Sequence, residues 1–301
     1  MKTQNHSRVP VPGIAMLLLL PVFFAAWGRF GQKVPAALGL SLLTGLLIRA
    51  FAEVGERPFP WAWFWVFPLF VPLGMPLWLV PLSLICAWII TISAFGGIGR
   101  NIFNPVALAL VFIMAGYGSA VSLTASKPFS TALAAINVWT AGINPIEPAL
   151  RGWLTRPVIT LSDFLGGGHL PAIPGLAFPG PLFLVILLIV LLLPGRRIWF
   201  FSTMILTLVG GELVAGSLPE LIRSGASLLG TGVVVALLLA CLADENTIPE
   251  KASEQLLFSL IFSAALVVFA CGSTQELGPV YGLLLTQALF PLISDVCGGK
   301  L

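Results

Sequence analysis

The chain has 301 residues, of which 58% are hydrophobic and only 9% charged, against roughly 25% charge in a soluble domain. Such a chain cannot clothe a globule in polar side chains, and its net charge of +3 is too small and too thinly spread for a nucleic-acid surface. The composition specifies an all-α integral membrane protein and excludes a sizeable soluble catalytic domain and nucleic acid as a partner.

The amino end, with Lys2, His6 and Arg8, leads into an apolar stretch with no small-residue cleavage site, so it reads as a retained first span. Glycine, proline and polar punctuation then marks apolar segments at residues 11–27, 34–52, 61–73, 76–95 and, shorter, 105–114. A second group follows at 181–193, 198–214, 228–242, 256–271 and 277–296. About ten transmembrane helices result at about 20 residues per span, the shorter ones tilted or buried among neighbours. Trp61, Trp63, Trp65 and Trp78 fit either a belt at the headgroup level or plain packing between helices.

The interval 115–180, with Gly166, Gly167, Gly168 and the stretch Asn137-Val138-Trp139-Thr140, is longer than a plain connection requires and reads as functional. It divides the chain into a first membrane half (1–114), an extracytoplasmic segment (115–180) and a second membrane half (181–301). Two groups with an odd number of spans enter the bilayer in opposite senses, which predicts two inverted five-helix halves. With the amino end in the cytoplasm, nine basic residues fall inside (Lys2, Arg8, Arg49, Arg57, Arg100, Arg196, Arg197, Lys251, Lys300) and six outside. The positive-inside bias favours that orientation. Cys86, Cys241, Cys271 and Cys297 form no C-x-x-C pair and read as free thiols.

Chemistry concentrates in Phe95-Gly96-Gly97-Ile98-Gly99-Arg100-Asn101-Ile102-Phe103-Asn104-Pro105. The glycines free the backbone for close turns, and Asn104-Pro105 supplies an N-cap followed by a first helical residue that needs no N–H partner. A helix starting there within the membrane offers its positive end to an anion such as phosphate; the alternative is a capped turn between two spans. In Asp244-Glu245-Asn246-Thr247-Ile248-Pro249-Glu250, Thr247 and Glu250 have the spacing of a capping box. Asp244 is either interfacial or, turned inward, an ion or proton site. Glu212, within or at the end of a span, must face water, a partner or the bundle interior. Arg49 and Glu53 are four apart and can pair, while His6 and His169 suggest no metal or catalytic role.

The string from Gly96 to Pro105 resembles the G-G-x-G-x-N-x-F-N-P-A signature of a membrane subunit family, with Val106 where alanine is usual. That family comprises the RnfD subunit of the Rnf ion-translocating electron transport complex and the NqrB subunit of the sodium-translocating NADH:quinone reductase. The segment from Asp244 to Pro249 is similar to its D-P-V-T-S-P at Asp244, Thr247 and Pro249, and Ala288-Leu289-Phe290-Pro291-Leu292-Ile293 is similar to its closing A-L-V-P-L-I.

The resemblance implies a ten-helix bundle of two inverted halves, akin to urea-channel architecture, that couples electron transfer to Na+ or H+ movement beside other membrane and peripheral subunits. It further implies a multi-pass protein of the bacterial inner membrane. In the family, FMN is joined by a phosphoester to the threonine of S-G-A-T-P, but the corresponding stretch here is Ala141-Gly142-Ile143-Asn144-Pro145. Asn144 has no hydroxyl from which that ester could form. The expectation is therefore FMN held noncovalently or absent, with riboflavin as a second flavin candidate. Gly97, Gly99, Asn101, Asn104 and the Asn144 position are the expected cofactor contacts, and Asp244, Glu212 and Thr247 the expected ion pathway. Two other readings stand beside this one: a small-solute channel or transporter, and a flavin-less scaffold subunit of a redox complex.

Overall fold

A computed structural model describes residues 11–51, 58–72, 75–117, 188, 197–215, 247–272 and 278–297. Among the described residues the fold is helical, with no strand. The first five helices are α1 (Val11–Phe30), α2 (Lys33–Phe51), α3 (Trp61–Phe70), α4 (Leu79–Trp88) and α5 (Pro105–Tyr117). They are followed by α6 (Arg197–Ala215), α7 (Ala252–Gly272), α8 (Gly278–Ala288) and α9 (Phe290–Val296). The expected intervals 115–180 and 228–242 lie largely outside the described residues.

Local chemistry ends and bends these helices. Gly31 takes φ +76° and returns its N–H to the Trp27 carbonyl at 2.9 Å, a left-handed stop that lets α2 begin at Lys33. α3 ends before Pro72, since the residue preceding a proline is pushed to extended backbone; Val71 has φ −70° and ψ 120°. The run 76–95 is not one uniform helix. After α4 the ladder widens into a π turn over Ile89–Ser93, where the Ala94 N–H reaches the Ile89 carbonyl at 3.0 Å. The run 277–296 is likewise broken at Leu289. Pro291 has no N–H for the carbonyl of Gln287, four residues back, so α8 and α9 meet at a kink.

Side-chain contacts set the directions. The Lys33 ammonium donates to the Met75 carbonyl, joining the start of α2 to the chain entering α4, so these two packed helices begin at one end. Arg49, expected to pair with Glu53, lies over the Trp61 ring at 5.8 Å; Glu53 is outside the described residues. This contact places the end of α2 against the start of α3, and the two run antiparallel.

α6 and α7 run parallel. The Trp199 N–H donates to Gln255 Oε1 at 3.0 Å, Thr203 Oγ1 to Ser259 Oγ at 3.2 Å and Thr207 Oγ1 to Ser263 Oγ at 3.1 Å, always 56 positions apart. α8 returns antiparallel to α7: Gly282 faces Ala265, and the Ser294 hydroxyl of α9 lies 3.5 Å from the Glu254 carboxylate. α5 packs on α8 and so joins the first five helices to the rest.

Beside a largely apolar core that includes Trp199, Phe200, Phe258 and Phe262, the α6–α7 pair buries polar side chains and leaves apolar ones exposed. On α7 the buried face carries Gln255, Ser259 and Ser263, while Leu256, Leu260 and Val268 are exposed; on α6 Thr203 and Thr207 are buried, while Ile198, Phe201, Ile205 and Val209 are exposed. A water-soluble helix carries charged and polar residues on its exposed face instead. In lipid, apolar residues face the acyl chains and interhelical hydrogen bonds join small polar residues within. By length and composition α2, at 19 residues, is long and apolar enough to cross a membrane.

Three of the four clustered tryptophans make ring contacts within the bundle. Trp63 is buried against Trp88 at 5.9 Å, Trp65 meets the edge of Phe23 at 5.8 Å and Trp61 meets Phe59 at 4.9 Å. Cys86 and Cys297 are free thiols.

The α2–α3 contact has no spare room, since a Cβ on Gly45 would lie 2.9 Å from Cγ of the buried Phe64 ring. The root of that ring cannot move without its helix. Gly45→Ala should cost about 1–3 kcal/mol by overpacking, despite the better helix propensity of alanine. The check is a thermal unfolding midpoint in detergent, which should fall by several degrees relative to wild type.

Candidate functional site

The glycine-rich string folds as the sequence reading requires. Gly96, Gly97 and Gly99 take φ values of +83°, +117° and +80°, in the region that L side chains rarely adopt. The Gly97 N–H extends the π turn by reaching the Ile92 carbonyl at 2.9 Å, and Arg100 folds back over Gly96. Nothing lies within 4 Å of a Cβ built on Gly97, so the loop presents bare backbone to open space there. Phe95 and Phe103 flank it, edge to face at 6.3 Å.

Asn104 then caps α5. Its Oδ1 accepts the Ala107 N–H at 3.0 Å, its carbonyl accepts the Leu108 N–H at 3.0 Å, and Pro105 is the first helical residue. Both Asn101 and Asn104 are buried, and Asn101 Nδ2 donates to the Phe103 carbonyl at 3.2 Å. Four of the expected site residues, Gly97, Gly99, Asn101 and Asn104, therefore form one structure. The capped turn is real, and it takes up part of what the helix end would offer an anion: Ala107 is capped from within and Pro105 has no N–H.

The depth of this turn follows from its partner. The Asn104 N–H donates to Gln287 Oε1 at 2.9 Å, a fully buried contact. α8, Leu289 and α9 together cover 278–296, about 28 Å at 1.5 Å per residue, close to the hydrocarbon thickness. Gln287 stands at the middle of that rod. α5, 13 residues and about 20 Å long, is met at its start by the middle of that rod and is too short to span the hydrocarbon core alone.

A second polar junction lies where α6 and α7 begin. Gln255 accepts from the Trp199 N–H, and its Nε2 donates to the carbonyls of Pro249 at 3.0 Å and Glu250 at 3.2 Å. Thr247 is buried in the turn that this glutamine holds. The expected capping box does not start the helix: α7 begins at Ala252, past the exposed Glu250. The acid in its first turn is Glu254, paired with Lys251 at 3.0 Å. Proline at 249 delays the helix, because an interior proline would lack a donor and clash with the preceding turn.

Glu212 belongs to α6. Asp244 and Asn144 lie outside the described residues. The structure thus gathers the glycine and asparagine set at one place and Thr247 at another.

Sequence reasoning missed Gln287, Gln255 and the α6–α7 hydroxyl ladder. The signals were present as polar residues every fourth position within apolar runs (Thr203 and Thr207; Gln255, Ser259 and Ser263), and as a glutamine four residues before a proline.

Comparison with known proteins places these features in a lineage. The sequence model of the NQR2, RnfD, RnfE family matches residues 5–300. Over 114 residues, 36% of this chain and 26% of the relative, it is 33% identical to the NqrB subunit of the Na(+)-translocating NADH-quinone reductase of Haemophilus influenzae. Over 128 residues, 37% of this chain and 35% of the relative, it is 27% identical to the RnfD subunit of the ion-translocating oxidoreductase complex of Vibrio vulnificus. The chain thus spans about a quarter to a third of the length of these curated relatives.

Asn104→Ala should remove the cap on Ala107 and cost about 0.5–2 kcal/mol of stability, whereas Asn104→Asp, which keeps an acceptor at the same reach, should recover most of it. Equilibrium unfolding in mixed detergent micelles distinguishes them; equal losses for the two variants would contradict the capping role.

Proposed function

The chain belongs to the NQR2, RnfD, RnfE family, and we propose that it is the membrane subunit of an ion-translocating electron transport complex, coupling electron transfer to Na+ or H+ movement. The observation that carries this reading is the folded form of the family-like string. Three left-handed glycines lead into an asparagine-capped, half-length helix whose start is tied to the middle of the α8–α9 rod, in a chain matched from residue 5 to residue 300. Broken helices that start at mid-depth suit cofactor and ion sites, because their ends present unpaired backbone groups inside the membrane. The names of both relatives describe ion-translocating oxidoreductases, the activity carried over here.

Two inverted five-helix halves, residues 1–114 and 181–301 around the segment 115–180, remain our reading of the architecture. Its support is a repeated contact pattern. α2 and α4 start together and α4 packs on α5; α6 and α7 start together and α7 packs on α8. In each group the start of the earlier helix is tied to the later one at its beginning, through Lys33 to Met75 just before α4 and through Trp199 to Gln255 in the first turn of α7. The parallel entry of α6 and α7 fits a returning span at 228–242. The protein is then a multi-pass protein of the bacterial inner membrane with its amino end in the cytoplasm, beside other membrane and peripheral subunits.

A flavin fits the loop by its donors and its space. Open room over Gly97, the flanking Phe95 and Phe103, and the buried amides of Asn101 and Asn104 match a flat ring edged with hydrogen-bonding atoms. When bound, the flavin supplies the electron-carrying chemistry, while the chain orients the ring and keeps bulk water from it. FMN or riboflavin would be held noncovalently, with Gly97, Gly99, Asn101 and Asn104 as the contacts. Asp244, Glu212 and Thr247 are assigned to the cation route. Asn144 favours a second reading, a scaffold subunit that keeps the fold and its partners after losing the outer flavin.

Purification in mild detergent tests the function directly. Copurification of cysteine-rich redox subunits with a flavin or iron–sulfur spectrum is expected, and a chain that isolates alone and takes up a small solute in proteoliposomes would favour a channel. Asn144→Thr, expressed with a flavin-attaching enzyme, should yield a fluorescent covalent flavin band on a denaturing gel if only the acceptor hydroxyl was lost. No band would count for a scaffold that lost the whole attachment site.

A further inference from the structure

Gln287 carries a donor that the fold itself does not use. The Asn104 N–H donates to its side chain at 2.9 Å, which fixes the accepting atom as oxygen and rules out the flipped amide. Nε2 shares the amide plane with that oxygen and so stands beside the entry to α5, fully buried and without a hydrogen-bond partner in the structure. An amide NH2 fully buried within a helix bundle without an acceptor is strongly disfavoured, because no water or lipid group replaces the missing bond.

The surroundings define what would meet it. At the start of α5 Pro105 has no N–H and Ala107 is capped by Asn104, so that side of the junction adds chiefly the partial positive charge of the helix, which also favours an acceptor. The cation nearest in sequence, Arg100, is exposed and folded over Gly96, leaving no buried full charge from the loop to balance an anion. A neutral carbonyl oxygen or ring nitrogen suits the donors better. Because Pro291 breaks the helix one turn beyond Gln287, the glutamine is held at the kink, where its side chain reaches across to the other group of helices.

We propose that Gln287 is a flavin-binding residue. Its Oε1 holds the Asn104 backbone, and its Nε2 donates to a carbonyl oxygen or ring nitrogen of the isoalloxazine seated at the glycine loop. The inference rests on the flavin reading above and adds a contact from the opposite half of the chain.

The test titrates the purified full-length chain in detergent with riboflavin and, separately, FMN, following quenching of flavin fluorescence. Gln287→Met keeps the length and removes the donor; Gln287→Glu keeps an oxygen for the Asn104 N–H and removes the NH2. Each variant that unfolds cooperatively like wild type should bind the flavin about tenfold more weakly or worse, the loss of one well-made hydrogen bond in a buried site. If Gln287→Met fails to fold, Gln287→Glu decides. Folded variants that bind within twofold of wild type would overturn the assignment and leave the flavin site standing. A wild-type chain that binds neither flavin would overturn the flavin reading, and this inference with it.

Discussion

Within hydrocarbon, a backbone N–H or C=O that loses its helical partner has no water to turn to, so each interruption of a membrane helix must be answered by another group of the protein. In this chain one interruption answers another. Pro291 breaks the rod of α8 and α9 near its middle, and the glutamine one turn before it reaches the start of α5, where the Asn104 N–H needs an acceptor. Asparagine and proline at 104 and 105 complete the closure from the other side. The glycine loop can be short and tightly turned because its far end is fixed in this way.

The same constraint explains the second junction. Gln255 occupies both ends of its amide, taking the Trp199 N–H and giving to the carbonyls of Pro249 and Glu250, so a proline-delayed helix start is satisfied by one side chain. Below it the hydroxyls of Thr203, Ser259, Thr207 and Ser263 bond across two helices entered from one end. Small polar residues let these helices approach closely, and each such bond contributes modestly in a membrane, about 0.6 kcal/mol on average. Their value lies in register: one helix cannot slide past the other without parting every rung. Gln255 is fully committed, whereas Gln287 is half committed, and this contrast separates a structural clip from a binding contact.

The described residues place the glycine and asparagine set together at the start of α5 and Thr247 at the α6–α7 junction, with a buried aromatic and aliphatic core between helices that otherwise expose leucine, isoleucine and valine. A dry, apolar surrounding of this kind strengthens the hydrogen bonds and dipoles of the amides buried within it.

Much was legible in the residues themselves. The membrane class followed from the scarcity of charge, the helix start at Pro105 from asparagine and proline, and the left-handed turns from three glycines, because each is dictated by the covalent chemistry of the residue in place. The family followed from the same string. The partners of these groups were not legible. Nothing local says that Gln287 meets Asn104, 183 positions earlier, or that Lys33 meets Met75, 42 positions on. Nor does it say that Glu254 rather than Glu250 supplies the acid of the first turn of α7. An unbroken apolar run also hid the π turn at Ile89–Ser93 and the kink at Leu289, since hydropathy reports burial from water and is blind to which carbonyl each N–H selects. The sequence by itself determined which backbone groups would be left over, and only the packing of helices from distant parts of the chain decided which side chains received them.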